Sequence, residues 1–251
     1  MGAREQCGSS KEASFAPGKH FDPRNIKGIE ARFSECGAGK GRAEAPEKQT
    51  ARAFGAERKI YMKRIFLIGD SIRLGYDGYV RELMQDEAQL YWSRENAQYT
   101  THTLRFLHEW ANCDCDPAKI DLVHWNNGLW DSLQVLPDPL PVVPLDEYRR
   151  NLGRIVNRLR LIFPNARLAF ATTTSVITER MRPGFRRENG VIEAYNDAAR
   201  EIMAREGVSV DDLYPVARDM PEDWHALDGT HFTEEGYRAL AQAVASFLRV
   251  F

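Results

Sequence analysis

The chain has 251 residues, 43% of them hydrophobic, and a formal net charge of −2. That is enough apolar material for one sizeable core plus an appendage. No run approaches the ~18 apolar residues a membrane span requires, and the N-terminus lacks the apolar stretch of a signal peptide, so the sequence reads as a cytoplasmic protein with no membrane partner.

Residues 1 to 61 stand apart from the rest. They carry 12 Lys and Arg against 8 Asp and Glu, a net +4, which leaves −6 for the remainder. Rich in Gly, Ala, Glu, Lys and Arg, and without a sustained helix or strand period, the segment is expected to be disordered. Its charges are mixed rather than clustered, which argues against a basic arm for nucleic acid. Met62 is a candidate start in its own right, and the folded domain is expected over 62 to 251. Cys7, Cys36, Cys113 and Cys115 match no zinc spacing with nearby histidines, and Cys113-Asp114-Cys115 is too tight for an easy disulfide; all four are read as reduced.

The domain opens with Lys63-Arg64-Ile65-Phe66-Leu67-Ile68, a short apolar run that reads as the first strand of a parallel sheet. Gly69-Asp70-Ser71 follows, where a buried strand gives way to a helix in a turn that can expose a hydroxyl. Further strands are expected at 88 to 93, 119 to 126, 166 to 172 and 207 to 211, with helices between them. The clearest helix runs from Leu145 to Phe163: Tyr148, Leu152, Ile155, Val156, Leu159 and Phe163 recur at helical spacing, and Arg149, Arg150, Arg154 and Arg158 mark the wet face. Pro164-Asn165 stops it. Near the end, Asp228-Gly229-Thr230-His231 precedes a last helix with Thr233 as its cap and Tyr237, Leu240, Ala241, Val244 and Leu248 inward. The alternation predicts an α/β protein, a three-layer α/β/α arrangement around a doubly wound, mostly parallel five-stranded sheet of flavodoxin-like type. In such a sheet ligands bind at the carboxyl ends of the strands. Ser71, Asn96, Asn126, Thr172-Thr173-Thr174 and the Asp228 to His231 segment all fall at that edge.

Ser71, Asp228 and His231 are the parts of a hydroxyl nucleophile, a base and an orienting carboxylate. In this context the chain resembles the SGNH (GDSL) hydrolase family of esterases and lipases, over roughly residues 62 to 251. The family's first block matches Gly69-Asp70-Ser71, and its fifth, Asp-x-x-His, matches Asp228-Gly229-Thr230-His231. The resemblance implies Ser71 as nucleophile, His231 as base and Asp228 as its orienter. The second block normally carries an oxyanion glycine after an asparagine, whereas Glu95-Asn96-Ala97-Gln98-Tyr99-Thr100-Thr101 has no glycine; a backbone N–H there remains a possible donor. The third block is Trp125-Asn126-Asn127-Gly128-Leu129-Trp130-Asp131 and aligns in two ways. One puts Trp130 where the family has its asparagine. The other, favoured here, gives Asn126 the oxyanion role beside the Ser71 N–H, because a fixed amide donor at the developing charge is worth roughly 3 kcal/mol of barrier. Asn127 and Trp130 are the alternatives.

The other candidates have simpler readings. Asp70 is expected to accept loop N–H groups. His102, His108 and His124 are read as structural, since the first two are six apart rather than at the i, i+4 spacing of a two-histidine metal site. His225, three residues before Asp228, competes with His231 for the base. Glu95 and Glu179 are read as solvated, and Arg73 as either a substrate contact or a structural cap. Leu129 to Pro144 is stiffened by Pro137, Pro139, Pro141 and Pro144 and is expected to wall the acyl site. Ser175 to Asn189, with Arg180, Arg182, Arg186 and Arg187, reads as a mobile lid, an anion-reading surface or simply a solvated charge run. The expected activity is hydrolysis of a small ester, an O-acetyl carbohydrate ester by family habit, through a Ser71 acyl-enzyme with no metal and no cofactor. A thioesterase or lysophospholipase is the alternative within the enzyme class, and a binding module that keeps the fold is the alternative outside it.

Overall fold

The computed structural model describes residues 62–112 and 115–251; expectations for residues 1–61, and for Cys113, lie outside the described residues. Five strands form one parallel sheet: β1 (Lys63–Ile68), β2 (Ala88–Trp92), β3 (Leu122–Asn126), β5 (Arg167–Ala171) and β7 (Ser209–Asp211), in the order β2-β1-β3-β5-β7. Two further two-residue strands, β4 (Gln134–Val135) and β6 (Phe185–Arg186), pair antiparallel as a separate ribbon. The helices are α1 (Ser71–Met84), α2 (Thr100–Ala111), α3 (Leu145–Ile162), α4 (Asn189–Glu206), α5 (Leu213–Arg218) and α6 (Glu234–Arg249).

Strand alternation divides the core into two layers. Ile65, Leu67, Leu122 and Ala169 face one side, where they meet α1, α5 and α6 through Ile72, Leu213, Leu240 and Val244. Phe66, Ile68, Val123 and Phe170 face the other, against α2, α3 and α4 through Leu107, Leu152 and Tyr195. Each buried aliphatic or aromatic side chain contributes roughly 1.5–3 kcal/mol relative to exposure, so the two layers hold the central strands from both faces. The strand order reverses direction around β1, and the crevice between the ends of β1 and β3 is the switch point of a doubly wound sheet.

The first strand and the start of α3 fall where the sequence predicts them. The strand expected at 119 begins instead at Leu122, because Pro117–Lys119 forms a 3-10 turn capped by Asp116, whose Oδ1 accepts the Ala118 N–H at 3.1 Å. Strands expected to reach 93 and 172, and to begin at 166 and 207, are one or two residues shorter. Thr233 occupies the cap position of α6, but its hydroxyl donates to Glu235 Oε2 at 2.8 Å rather than accepting a helix N–H. Among the described residues no helix is long and apolar enough to cross a membrane.

Candidate active site

Ser71 is the first residue of α1. Asp70 caps that helix, with its Oδ1 accepting the Ile72 N–H at 3.0 Å, and the Leu74 N–H reaches the Asp70 carbonyl at 3.1 Å. Neither bond uses the Ser71 N–H, which lies at the positive end of the helix dipole. Gly69 is required by a close approach: a Cβ there would stand 1.9 Å from Asn126 Oδ1. The turn is therefore pressed against the end of β3.

From the other side of the crevice, Asp228-Gly229-Thr230-His231 makes a turn that orders itself. Asp228 Oδ1 accepts the Thr230 and His231 N–H groups, each at 2.9 Å, while Oδ2 stands 2.6 Å from His231 Nδ1. His231 Nε2 is 2.8 Å from Ser71 Oγ. Burial pushes the Asp228 carboxyl up, but the hydrogen bonds from the His231 ring and from the His231 and Thr230 N–H groups outweigh it and hold the carboxyl below its usual range. An ionised carboxylate only accepts, so Nδ1 carries the imidazole proton and Nε2 is left to accept from the Ser71 hydroxyl.

Arg73 settles as a structural residue. Its side chain is fully buried; Nη1 donates to Asp77 at 2.8 Å, and Nη2 reaches the Ser93 carbonyl and hydroxyl and the Glu95 carbonyl at 2.8, 2.9 and 3.0 Å. It ties α1 to the end of β2. In the adjoining loop the Ala97 N–H bonds the Gly69 carbonyl and the Gln98 N–H bonds Asn96 Oδ1, both at 2.9 Å, so these two amides are already committed. Gln98, at φ 47°, holds the left-handed conformation for which glycine is the usual choice.

Asn126 is 5% exposed at the end of β3, against Gly69. Its carboxamide faces Asp70, whose fully buried carboxyl is pushed up by burial and pulled back by the Asn126 side chain and the Ile72 N–H. Asn127 turns the opposite way: Nδ2 donates to the Gln98 carbonyl at 3.1 Å and to Thr103 Oγ1 at 2.9 Å. Trp130 lies at the cleft and packs edge-on against Tyr99, 5.4 Å between ring centroids. His225 is buried away from Ser71 against Phe232, 4.8 Å between rings, and burial lowers its pKa. His124, wholly buried in β3, sits 2.9 Å from Asp211 of β7, on the far side of β5. His102 stacks near Phe106, His108 approaches Asn112, and Glu95 accepts from Trp110 Nε1 at 3.0 Å. Glu179 is exposed.

Ser71, Asp228 and His231 open into a cleft of about 620 Å³ whose walls include Leu129, Trp130 and Phe185. Both long loops contribute, joined by the β4–β6 ribbon. The second is no loose lid: the Ile177 N–H bonds the Gly229 carbonyl at 2.7 Å, and Asn189 bonds both the N–H and the carbonyl of Val176 at 3.0 Å. The sequence missed this ribbon, since two-residue strands carry no period to read.

The model of the GDSL-like lipase/acylhydrolase family matches residues 67–239. No curated protein sequence matches the chain. Among solved structures, a lipase/acylhydrolase from Enterococcus faecalis superposes with a TM-score of 0.61 at 22% identity, covering 75% of this chain and 96% of its own. A GDSL-like lipase from Bacteroides thetaiotaomicron gives 0.57 at 15%, covering 75% and 88%. An acetyl xylan esterase gives 0.55 at 16%, covering 74% and 99%. These likenesses carry the fold, while the family match spans both the Gly69-Asp70-Ser71 turn and the Asp228 to His231 turn. The chain belongs to the GDSL-like lipase/acylhydrolase family and is a carboxylic ester hydrolase.

Proposed function

We propose that the domain from Met62 to Phe251 hydrolyses small acyl esters through a Ser71 acyl-enzyme. His231 takes the Ser71 proton as the hydroxyl adds to the ester carbonyl, returns it to the leaving alcohol, and then activates the water that releases the acid. Asp228 holds the ring and stabilises the imidazolium. The oxyanion is received by the Ser71 N–H and by Asn126, which lies against the nucleophile turn and reaches the reacting oxygen by rotating its amide away from Asp70. The observation that carries this reading is the unbroken path Ser71 Oγ, His231, Asp228, with steps of 2.8 and 2.6 Å. An O-acetyl carbohydrate is our preferred substrate type; the compartment we propose is the cytoplasm.

A second reading within the same chemistry, a thioesterase or lysophospholipase, draws on the apolar walls of the cleft, where Leu129, Leu133, Met181 and Phe185 offer room for an acyl chain longer than acetyl. Acyl-chain-length profiling separates the two. The nucleophile assignment is tested with Ser71→Ala: turnover of 4-nitrophenyl acetate should disappear while the melting temperature stays put. Near-wild-type kcat in that variant would remove Ser71 from the mechanism.

A further inference from the structure

The cleft is walled on one side by arginines, and their pairing differs. Arg180 is spoken for: Nη2 meets Glu222 Oε1 at 2.7 Å and Nη1 reaches the Glu222 and His225 carbonyls. Arg182 and Arg187 are not. Arg187 donates from Nε to the Leu129 carbonyl at 2.8 Å and weakly from Nη1 to Thr230 Oγ1 at 3.4 Å, both neutral acceptors, and no carboxylate among the described residues stands within ion-pair distance of it. Arg182 lies over the Phe185 ring, 4.0 Å from its centroid, and likewise has no ion-pair partner among the described residues. The single carboxylate lining the cleft among the described residues, Asp228, is committed to His231.

The backbone carrying both arginines is held in place. Arg182-Pro183-Gly184-Phe185 is a tight turn closed by the Phe185 N–H on the Arg182 carbonyl at 3.2 Å, with proline second and Gly184 third at φ 87°, the residue order a type II turn asks for. The turn is anchored by the Leu136 N–H on the Gly184 carbonyl at 2.9 Å and by the β4–β6 pairing. Arg187 is fixed at its backbone, where Thr178 Oγ1 donates to its carbonyl at 2.8 Å. A solvated charge run would not be tied down in this way. Half-burial lowers the Arg187 pKa; the carboxylates of Asp70 and Asp228 oppose this at a distance, and the like charge of Arg182 adds to it. The residues after position 61 carry a net −6, so a fixed pair of unneutralised cations facing the reacting serine runs against the charge of its own domain.

We propose that Arg182 and Arg187 form an anion-binding subsite, and that the ester this enzyme takes bears a carboxylate or phosphate group on either its acyl or its alcohol half. The inference rests on the Ser71 hydrolase reading and names the substrate class of the same site. Such a group would enter between two guanidinium planes, accept paired N–H bonds, and relieve their mutual repulsion.

Two matched pairs of activated esters test it on the full chain. For the alcohol half, 4-acetoxybenzoate is compared with its neutral methyl ester; for the acyl half, mono-4-nitrophenyl glutarate is compared with 4-nitrophenyl valerate. The readout is the ratio of kcat/KM, charged over neutral, in wild type, Arg182→Ala and Arg187→Met. In one pair the wild-type ratio should exceed unity by on the order of tenfold and fall with rising salt, and each variant should cut it by a similar factor. The pair that shows the preference identifies the half of the ester carrying the anion. Arg182 is exposed, so its variant keeps the test valid if the Arg187 change disturbs folding. A wild-type ratio at or below one in both pairs, or a preference unmoved by Arg182→Ala, overturns the subsite. Loss of Ser71 dependence on the neutral esters would instead strike the hydrolase reading beneath it.

Discussion

Asp131 should make the protein less stable as pH rises, and replacing it should remove that contribution. The residue is wholly buried at the end of the third motif, where Oδ1 accepts the Thr100 N–H at 2.9 Å and the Thr100 hydroxyl at 2.6 Å, while Oδ2 has no hydrogen-bond partner among the described residues. Burial pushes its carboxyl up to about 7; the Thr100 bonds oppose this and the nearby Asp70 adds to it. Because the folded state then holds this proton more tightly than the unfolded chain, whose carboxyl titrates near 3.8, stability falls as pH climbs from that value through 7. At about 1.36 kcal/mol per pK unit the whole effect is on the order of 4 kcal/mol, more than half of which develops between about pH 5 and about pH 8. Asp131→Asn keeps an oxygen for Thr100 and mimics the protonated acid. Urea denaturation of both proteins at the two pH values gives the variant-minus-wild-type difference, in which the other titrating groups cancel. That difference should move by about 2–3 kcal/mol in favour of Asn on going to the higher pH. A difference that does not change with pH, or that moves the other way, refutes the assignment of a protonated buried carboxyl.

Asn126→Ala should lower kcat by on the order of 100-fold with little change in KM, as expected of a donor used in the transition state. Asn127→Ala should instead lower stability by about 1–3 kcal/mol, measured by denaturation, because it unpairs the Gln98 carbonyl and Thr103; if Asn127 proves the kinetic residue, the third-motif alignment is wrong. Arg73→Met should cost about 3 kcal/mol or more, leaving Asp77 and two carbonyls without their donor, and a melting temperature close to wild type would contradict the structural role. Removing residues 1 to 61 should leave melting temperature and esterase activity little changed, and a large fall in either would show that the segment belongs to the working domain.

The parallel sheet was legible because strands covered on both faces read as unbroken apolar runs, as Ile65 to Ile68 do, and because α3 keeps its apolar stripe from Tyr148 to Leu159. Boundaries blurred where an apolar residue continued beyond the hydrogen bonds. Ile120 is buried but lies outside β3, so hydrophobicity alone extended that strand. The β4–β6 ribbon was invisible for a different reason: Gln134 and Phe185 belong to loops that meet only in space.

The same distinction governs the site. Asp228 and His231 lie three residues apart and orient each other through one turn, so a short motif announces them, and Gly69-Asp70-Ser71 is local in the same way. What surrounds them is not local. Asp131 meets Thr100 across 31 positions, His124 meets Asp211 across 87, and Arg180 is neutralised by Glu222 across 42. From sequence, the four arginines of the 175–189 loop are equivalent members of a mixed charge run. Only the fold separates them, by giving Glu222 to Arg180 and Glu188 to Arg186 while leaving Arg182 and Arg187 facing the cleft. Which of these charges the fold leaves unpaired is a property of distant partners that no motif around Ser71 records.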